Sequence, residues 1–238
     1  MCCKGKGRNR GARMSPTPVL ITGGIGGIGQ SVAQLLSQKG YFPIIAHRPE
    51  SLTNTTTTNL GYLLPMDLGK PESVETALLD VTTRFSNTLA VIVCAAAPPL
   101  LQPFGKINRC EMVERFTTEI CGHQQLISGL VKNVFRKHRR GAVIGVLSQA
   151  MGSPIWGAAS NMGSYTITKH AMEGLLALLA ADYTWLKVDA VRPGFVDTNM
   201  LSVFDKRFLE KLRADHKIAD ADLIATEVVN LLQKYCPI

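Results

Sequence analysis

At 238 residues, with 46% apolar side chains, the chain is long enough to bury one sizeable α/β core. No apolar run approaches the roughly 18 to 20 residues needed to span a bilayer, and the first residues lack the apolar centre of a secretory signal. The formal charge of +8 is unevenly placed, because Lys4, Lys6, Arg8, Arg10 and Arg13 supply five of the eight charges from a Gly-rich stretch with no acid before Glu50.

Residues 1–16 therefore read as a disordered basic tail, and residues 17–238 as the folded body, which no Pro/Gly/Ser-rich linker divides. Such a tail can attract phosphate polymers or anionic lipid. The body carries no aromatic-basic RNA signature and no zinc-finger spacing, so a nucleic-acid role is not expected. Cys2 and Cys3 beside basic residues invite acylation, but the residue after Met1 is not the glycine that myristoylation requires, and no membrane role is expected. The six cysteines form no CxxC and no metal-ligand set, so a reduced, cytoplasmic protein without a metal is expected.

From Thr17 onward, short apolar runs alternate with helix-length segments. Strands are predicted at Val19–Ile21, Phe42–Ala46, Tyr62–Leu64, Ala90–Cys94, Ala142–Leu147 and Val188–Val191, and helices over Gly29–Lys39, Pro71–Phe85, Cys110–His138, Tyr165–Tyr183 and Ala219–Tyr235. The polar stretch Asn54–Asn59, with four consecutive threonines, reads as a connector. Continuous apolar strands separated by amphipathic helices imply a parallel sheet covered on both faces. The predicted fold is a single doubly wound Rossmann-type α/β domain with six or seven strands.

After the first strand comes Thr22-Gly-Gly-Ile-Gly-Gly-Ile-Gly29. Glycines in such a turn let backbone amides approach a pyrophosphate at the positive end of the next helix. The second strand ends in Ala46-His47-Arg48, with no acid at the strand end to receive ribose hydroxyls. Arg48 can fork onto a 2′-phosphate, with His47 as a second donor, so NADP(H) is expected over NAD(H). Farther on, Tyr165 and Lys169 stand one helical turn apart, and Ser148 closes the fifth strand. A cation on the same helix face can tune a tyrosine as a proton donor.

Thr22, Gly23, Gly27 and Gly29 in TGxxxGxG, followed about 140 residues later by Tyr165-xxx-Lys169, resemble the short-chain dehydrogenase/reductase family. The resemblance runs from Thr17 to about Thr198. It implies Ser148, Tyr165 and Lys169 as catalytic residues, and Thr22, Gly23, Gly27, Ile28 and Gly29 at the pyrophosphate turn. It also implies that Asp67 contacts adenine, that Ala95 borders the ribose, that Tyr165 and Lys169 contact the nicotinamide ribose, and that Pro193, Gly194, Val196 and Thr198 hold the nicotinamide. Four departures stand out. Cys94-Ala-Ala-Ala97 replaces Asn-Asn-Ala-Gly; Glu119 falls where the family has a proton-relaying Asn and is the fourth catalytic candidate, a carboxylate that either carries the relay or pairs Lys169 and blunts it; Ser148 precedes Tyr165 by seventeen residues, more than the commonest spacing, with Ser153 as reserve; and the usual last strand is missing. That last departure means either six strands or a chain cut short, with an exposed sheet edge in either case.

The expected function is NADPH-dependent reduction of a carbonyl, or a similar polarised double bond, in a small molecule. Asn199–His216 would form the mobile substrate loop, and Met151, Ile155, Trp156, Met162, Phe195, Met200 and Phe204 a largely apolar pocket. The His-Arg after the second strand hints at pteridine reductases. The alternative is an NADP-binding regulator or scaffold with little activity. A homo-oligomer, dimer or tetramer, is expected through the helices of Glu119 and Tyr165.

Overall fold

The computed structural model describes residues 17–51, 58–153 and 157–238. Six parallel strands, β1 (Pro18–Thr22), β2 (Phe42–His47), β3 (Tyr62–Pro65), β4 (Ala90–Val93), β5 (Ala142–Val146) and β6 (Lys187–Val191), lie in the order β3-β2-β1-β4-β5-β6. The chain lays β1 to β3 in one direction, then returns past β1 to lay β4 to β6 in the other. The reversal between β1 and β4, paired with Thr22 opposite Val93, creates a crevice at the strands' carboxyl ends, where such folds bind ligands.

Alternation along the strands sorts the core into two layers. Leu20, Ile44, Val91 and Val143 face α2 (Pro71–Arg84), the long helix of residues 109–138 and α6 (Tyr165–Asp182). Val19, Ile21, Ile45, Ile92 and Ile144 face α1 (Gly27–Gln38) and α8 (Ala221–Tyr235). Both faces are thus dry, as a parallel sheet requires. The long helix is continuous but not uniform. It runs as α3 (Arg109–Phe116), a π turn at Thr117–Cys121, α4 (Gly122–Leu130), a second π turn at Val131–Phe135, and α5 (Arg136–His138).

Among the described residues the main sheet has six strands and no seventh. Beyond β6 the chain instead forms a two-strand parallel ribbon, β7 (Phe195–Val196) with β8 (Ile218–Ala219), enclosing α7 (Lys206–Ala214). Phe195 and Phe204, expected to line a substrate pocket, pack with Leu201, Leu209, Leu212 and Ile218 in a small core of their own. Met151 is likewise buried in the main core. The expectations for residues 1–16, for the connector around residues 52–57 and for Ile155 and Trp156 fall outside the described residues. Among the described residues, no helix is long and apolar enough to cross a membrane.

Candidate active site

The turn after β1 is shaped by close approach. Gly23 takes φ +64°, and a Cβ there would sit 2.9 Å from Ala95 Cα. A Cβ on Gly29 would lie 2.3 Å from the Gly23 carbonyl oxygen, so helix α1 starts hard against the turn. Gly26 precedes α1 in extended conformation and supplies no side-chain cap. The first amides of α1 therefore have no side-chain cap, a helix end of the kind that suits an anion. Ile28 is half-buried, packed toward the α1/α8 layer.

Thr22 contributes indirectly. Its buried Oγ1 accepts from the amides of Cys94 and Ala95, each at 3.1 Å, tying β1 to the loop after β4. The same hydroxyl lies 3.0 Å from His123 Nε2, while His123 Nδ1 lies 2.7 Å from the Glu119 carbonyl oxygen. A carbonyl only accepts, so Nδ1 carries the ring proton and Nε2 accepts from Thr22. The Thr22 hydroxyl is then fully used, with one proton given and two lone pairs occupied. Burial pushes the His123 imidazolium down to about 4, keeping the ring neutral.

At the end of β2 the two expected phosphate donors differ. The Arg48 side chain is 65% exposed, 3.7 Å from Glu50. His47 is buried, and its Nδ1 donates to the Arg48 carbonyl oxygen at 2.9 Å. Its Nε2 is buried without a partner among the described residues. His47 thus braces the backbone of Arg48 and does not present a donor to the crevice. Asp67 follows β3 and holds the Gly69 amide at 3.0 Å and Lys70 Nζ at 3.1 Å.

Ser148, Tyr165 and Lys169 are brought together from β5 and α6. Ser148 lies two residues past β5, and its Oγ accepts from Ala150 N at 3.1 Å. Tyr165 opens α6, with 6% of its surface exposed. Burial raises its phenol above the ordinary value, opposed by a hydrogen bond with Ser148; Glu119 raises it further and Arg115 lowers it. Ser148 is hydrogen-bonded to Tyr165, while Ser153 lies past the Gln149–Met151 turn, with its carbonyl accepting from Gly157 N. Lys169 is buried, donates from Nζ to the Val146 carbonyl at 2.7 Å, and lies 5.7 Å from the Tyr165 ring centre. Burial lowers its ammonium below the ordinary value, and Glu119 and Cys94 oppose the shift.

Glu119 does not bond Lys169. Its Oε1 accepts from Arg115 Nη1 at 2.8 Å and from the Ala97 amide at 3.1 Å, and its Oε2 accepts from Thr168 Oγ1 at 2.8 Å. Arg115 and His123 were not singled out from the sequence, although both stand at four-residue steps from Glu119 on one helix.

The segment after β6 closes the crevice from the other side. Gln149 N donates to the Pro193 carbonyl at 2.8 Å, and a Cβ on Gly194 would meet Gln149 Oε1 at 2.9 Å. Val196 pairs with Ala219 in the ribbon. A Cβ on Gly27 would fall 2.5 Å from Thr198 Cγ2, so Thr198 lies over the start of α1. The turn after β1, the buried Tyr165/Lys169/Ser148 set and the 193–198 segment thus lie at the carboxyl end of a doubly wound parallel sheet.

The sequence profile of the short chain dehydrogenase family matches residues 17–207, and the chain belongs to that family of oxidoreductases. It is 28% identical over 185 residues to the uncharacterized oxidoreductase YbbO of Escherichia coli (strain K12), covering 76% of this chain and 66% of that protein. It is 26% identical over 220 residues to the 3-oxoacyl-(acyl-carrier-protein) reductase of Bos taurus, covering 90% of each. Among solved structures, the 3-ketoacyl-(acyl-carrier-protein) reductase of Brucella melitensis complexed with NADH superposes with a TM-score of 0.79 at 19% identity, covering 91% of this chain and 90% of that one. ElxO with NADPH bound gives 0.75 at 21% identity, covering 91% of each chain. These two structures share the fold.

Proposed function

We propose that residues 17–238 form one NADPH-dependent reductase of a carbonyl, or similar polarised double bond, in a small molecule. The observation that carries this reading is the buried set of Tyr165, Lys169 and Ser148 at the mouth of the β1/β4 crevice. The residues present fit a nicotinamide dinucleotide. Uncapped α1 amides suit its pyrophosphate, and Gly23, Gly27 and Gly29 let the turn pack directly against Ala95, Thr198 and its own backbone, so that no side chain stands between those amides and a ligand. Bound there in reduced form, it supplies a hydride. The remaining work belongs to the chain. Tyr165, held protonated by burial, gives its proton to the substrate oxygen as charge develops there. Ser148 orients that oxygen, and the Lys169 ammonium one turn along stabilises the tyrosinate left behind.

Arg48 supports a preference for the 2′-phosphorylated nucleotide, since its guanidinium is exposed at the end of β2 and the strand end itself carries no acid. Free thiols at Cys94, Cys110, Cys121 and Cys236 suit a reducing, cytoplasmic setting. Val113 on α3, 56% exposed, and Leu178 on α6, 63% exposed, support self-association through these helices.

The test compares NADPH and NADH binding by fluorescence, then follows NADPH oxidation over a carbonyl and pteridine panel. Tyr165→Phe is expected to keep NADPH binding and lose turnover by about two to four orders of magnitude. Binding without turnover on any compound in the native chain would favour a nucleotide-responsive regulator. A folded sample that binds neither nucleotide would sink the reading.

A further inference from the structure

The segment after β4 reads Cys94-Ala-Ala-Ala-Pro-Pro99 and has no polar side chain apart from the thiol, so it cannot hold itself by side-chain hydrogen bonds. All its polar side-chain anchors come from other segments. The Cys94 and Ala95 amides are held by Thr22, which His123 orients. The Ala97 amide is held by Glu119 Oε1. The Ala97 and Pro98 carbonyls accept from Arg115 at 3.1 and 2.8 Å. Farther along, Gln102 Nε2 donates to Glu111 Oε2 at 2.5 Å, and Ser164 Oγ donates to Glu111 Oε1 at 2.6 Å. Ser164 immediately precedes Tyr165, and Thr168, which bonds Glu119, immediately precedes Lys169.

We propose that Glu111, Arg115, Glu119 and His123 act as a positioning spine, setting the 94–102 segment and the start of α6 against each other around the buried Arg115–Glu119 pair. The spine is a property of the helix geometry. A four-residue repeat drifts around an α-helix of about 3.6 residues per turn. The π turn at Thr117–Cys121 holds more residues per turn and takes back that drift, so the four side chains stay on one face. Arg115 and Glu119 have 8% and 5% of their side chains exposed, which places both charges out of water.

The pair also balances charge at the proton donor. Groups facing Tyr165 are Ser148 after β5, Arg115 and Glu119 from the long helix, and Lys169 from its own helix. Glu119 raises the phenol and Arg115 lowers it. Removing either charge must therefore move Tyr165 in opposite directions, a signature that loose packing would not produce.

The proposal rests on the reductase reading only in naming Tyr165 as the donor, and its test needs no turnover. Tyrosinate formation is followed by ultraviolet difference spectroscopy, each protein measured against its own Tyr165→Phe counterpart. Arg115→Met is expected to raise the Tyr165 midpoint and Glu119→Gln to lower it. The double variant Arg115→Met/Glu119→Leu removes both charges. A buried pair replaced by apolar residues commonly keeps the fold. It should melt near the native protein, return the Tyr165 midpoint close to native and still bind NADPH about tenfold more weakly, because Ala97 and Pro98 lose their anchors. Shifts of the same sign in the two single variants, or no shift, would overturn the proposal. So would a folded double variant with native NADPH affinity. A native chain inactive on every carbonyl would sink the reductase reading and leave this result standing.

Discussion

At the end of β2, the Arg48 guanidinium reaches solvent while its own backbone carbonyl is held by His47. A forked contact from such a side chain to a phosphate ester is worth enough to decide between two nucleotides. Arg48→Ala is expected to weaken NADPH binding by about tenfold and leave NADH binding nearly unchanged; equal losses for both would remove Arg48 from the selectivity. His123 carries a different consequence. In the unfolded chain it takes up a proton near its ordinary value of 6.5, whereas the folded site resists down to about 4. The unfolded state therefore binds more protons in that window. Stability is present above about pH 6.5 and is lost as pH falls toward about 4, by up to about 3 kcal/mol. Urea midpoints across this range should fall more steeply for the native chain than for His123→Gln, and parallel slopes would refute the assignment.

The elements that could be read in advance are those whose signal is local. The Gly-rich turn follows a five-residue apolar strand, and Tyr165 and Lys169 share one helix, so both sites were legible from adjacent residues. The bond between Thr22 and His123 joins residues 101 positions apart, and nothing near either one announces it. The strands β7 and β8 have two residues each, too short to show a period. The exposed sheet edge was anticipated, but its protection was not. In β6, residues Lys187 and Val191 direct backbone groups to β5, so Ala190 N points to the open side. Asp189 Oδ1 accepts from that amide at 2.8 Å, and Tyr235 Oη on α8 donates to Asp189 Oδ2 at 2.7 Å. A capped amide beside a fixed charge discourages a foreign strand. Asp189→Val should increase concentration-dependent light scattering and cost about 1 kcal/mol of stability; an unchanged, monodisperse sample would show the cap to be incidental.

On the scale of the whole molecule, the strand order follows from alternation of strand and helix together with right-handed crossovers, so its outline was accessible before any coordinates. What alternation could not reveal is how the 195–218 segment buries itself. Phe195 stacks edge-on to Phe204 and Phe208, with ring centres 5.5 and 5.7 Å away. With Leu201, Leu209 and Leu212 they make a second, separate core. A flap that already owns its interior has little left to fold when a ligand arrives. Calorimetry of NADPH binding should then show a heat-capacity change no larger than the nucleotide's own buried surface requires, and a change several-fold more negative would mean that the flap orders only on binding. In kinetic language, any opening of this segment would be hinge rotation of a finished part, at the speed of a door on its hinges and not that of a chain refolding each cycle.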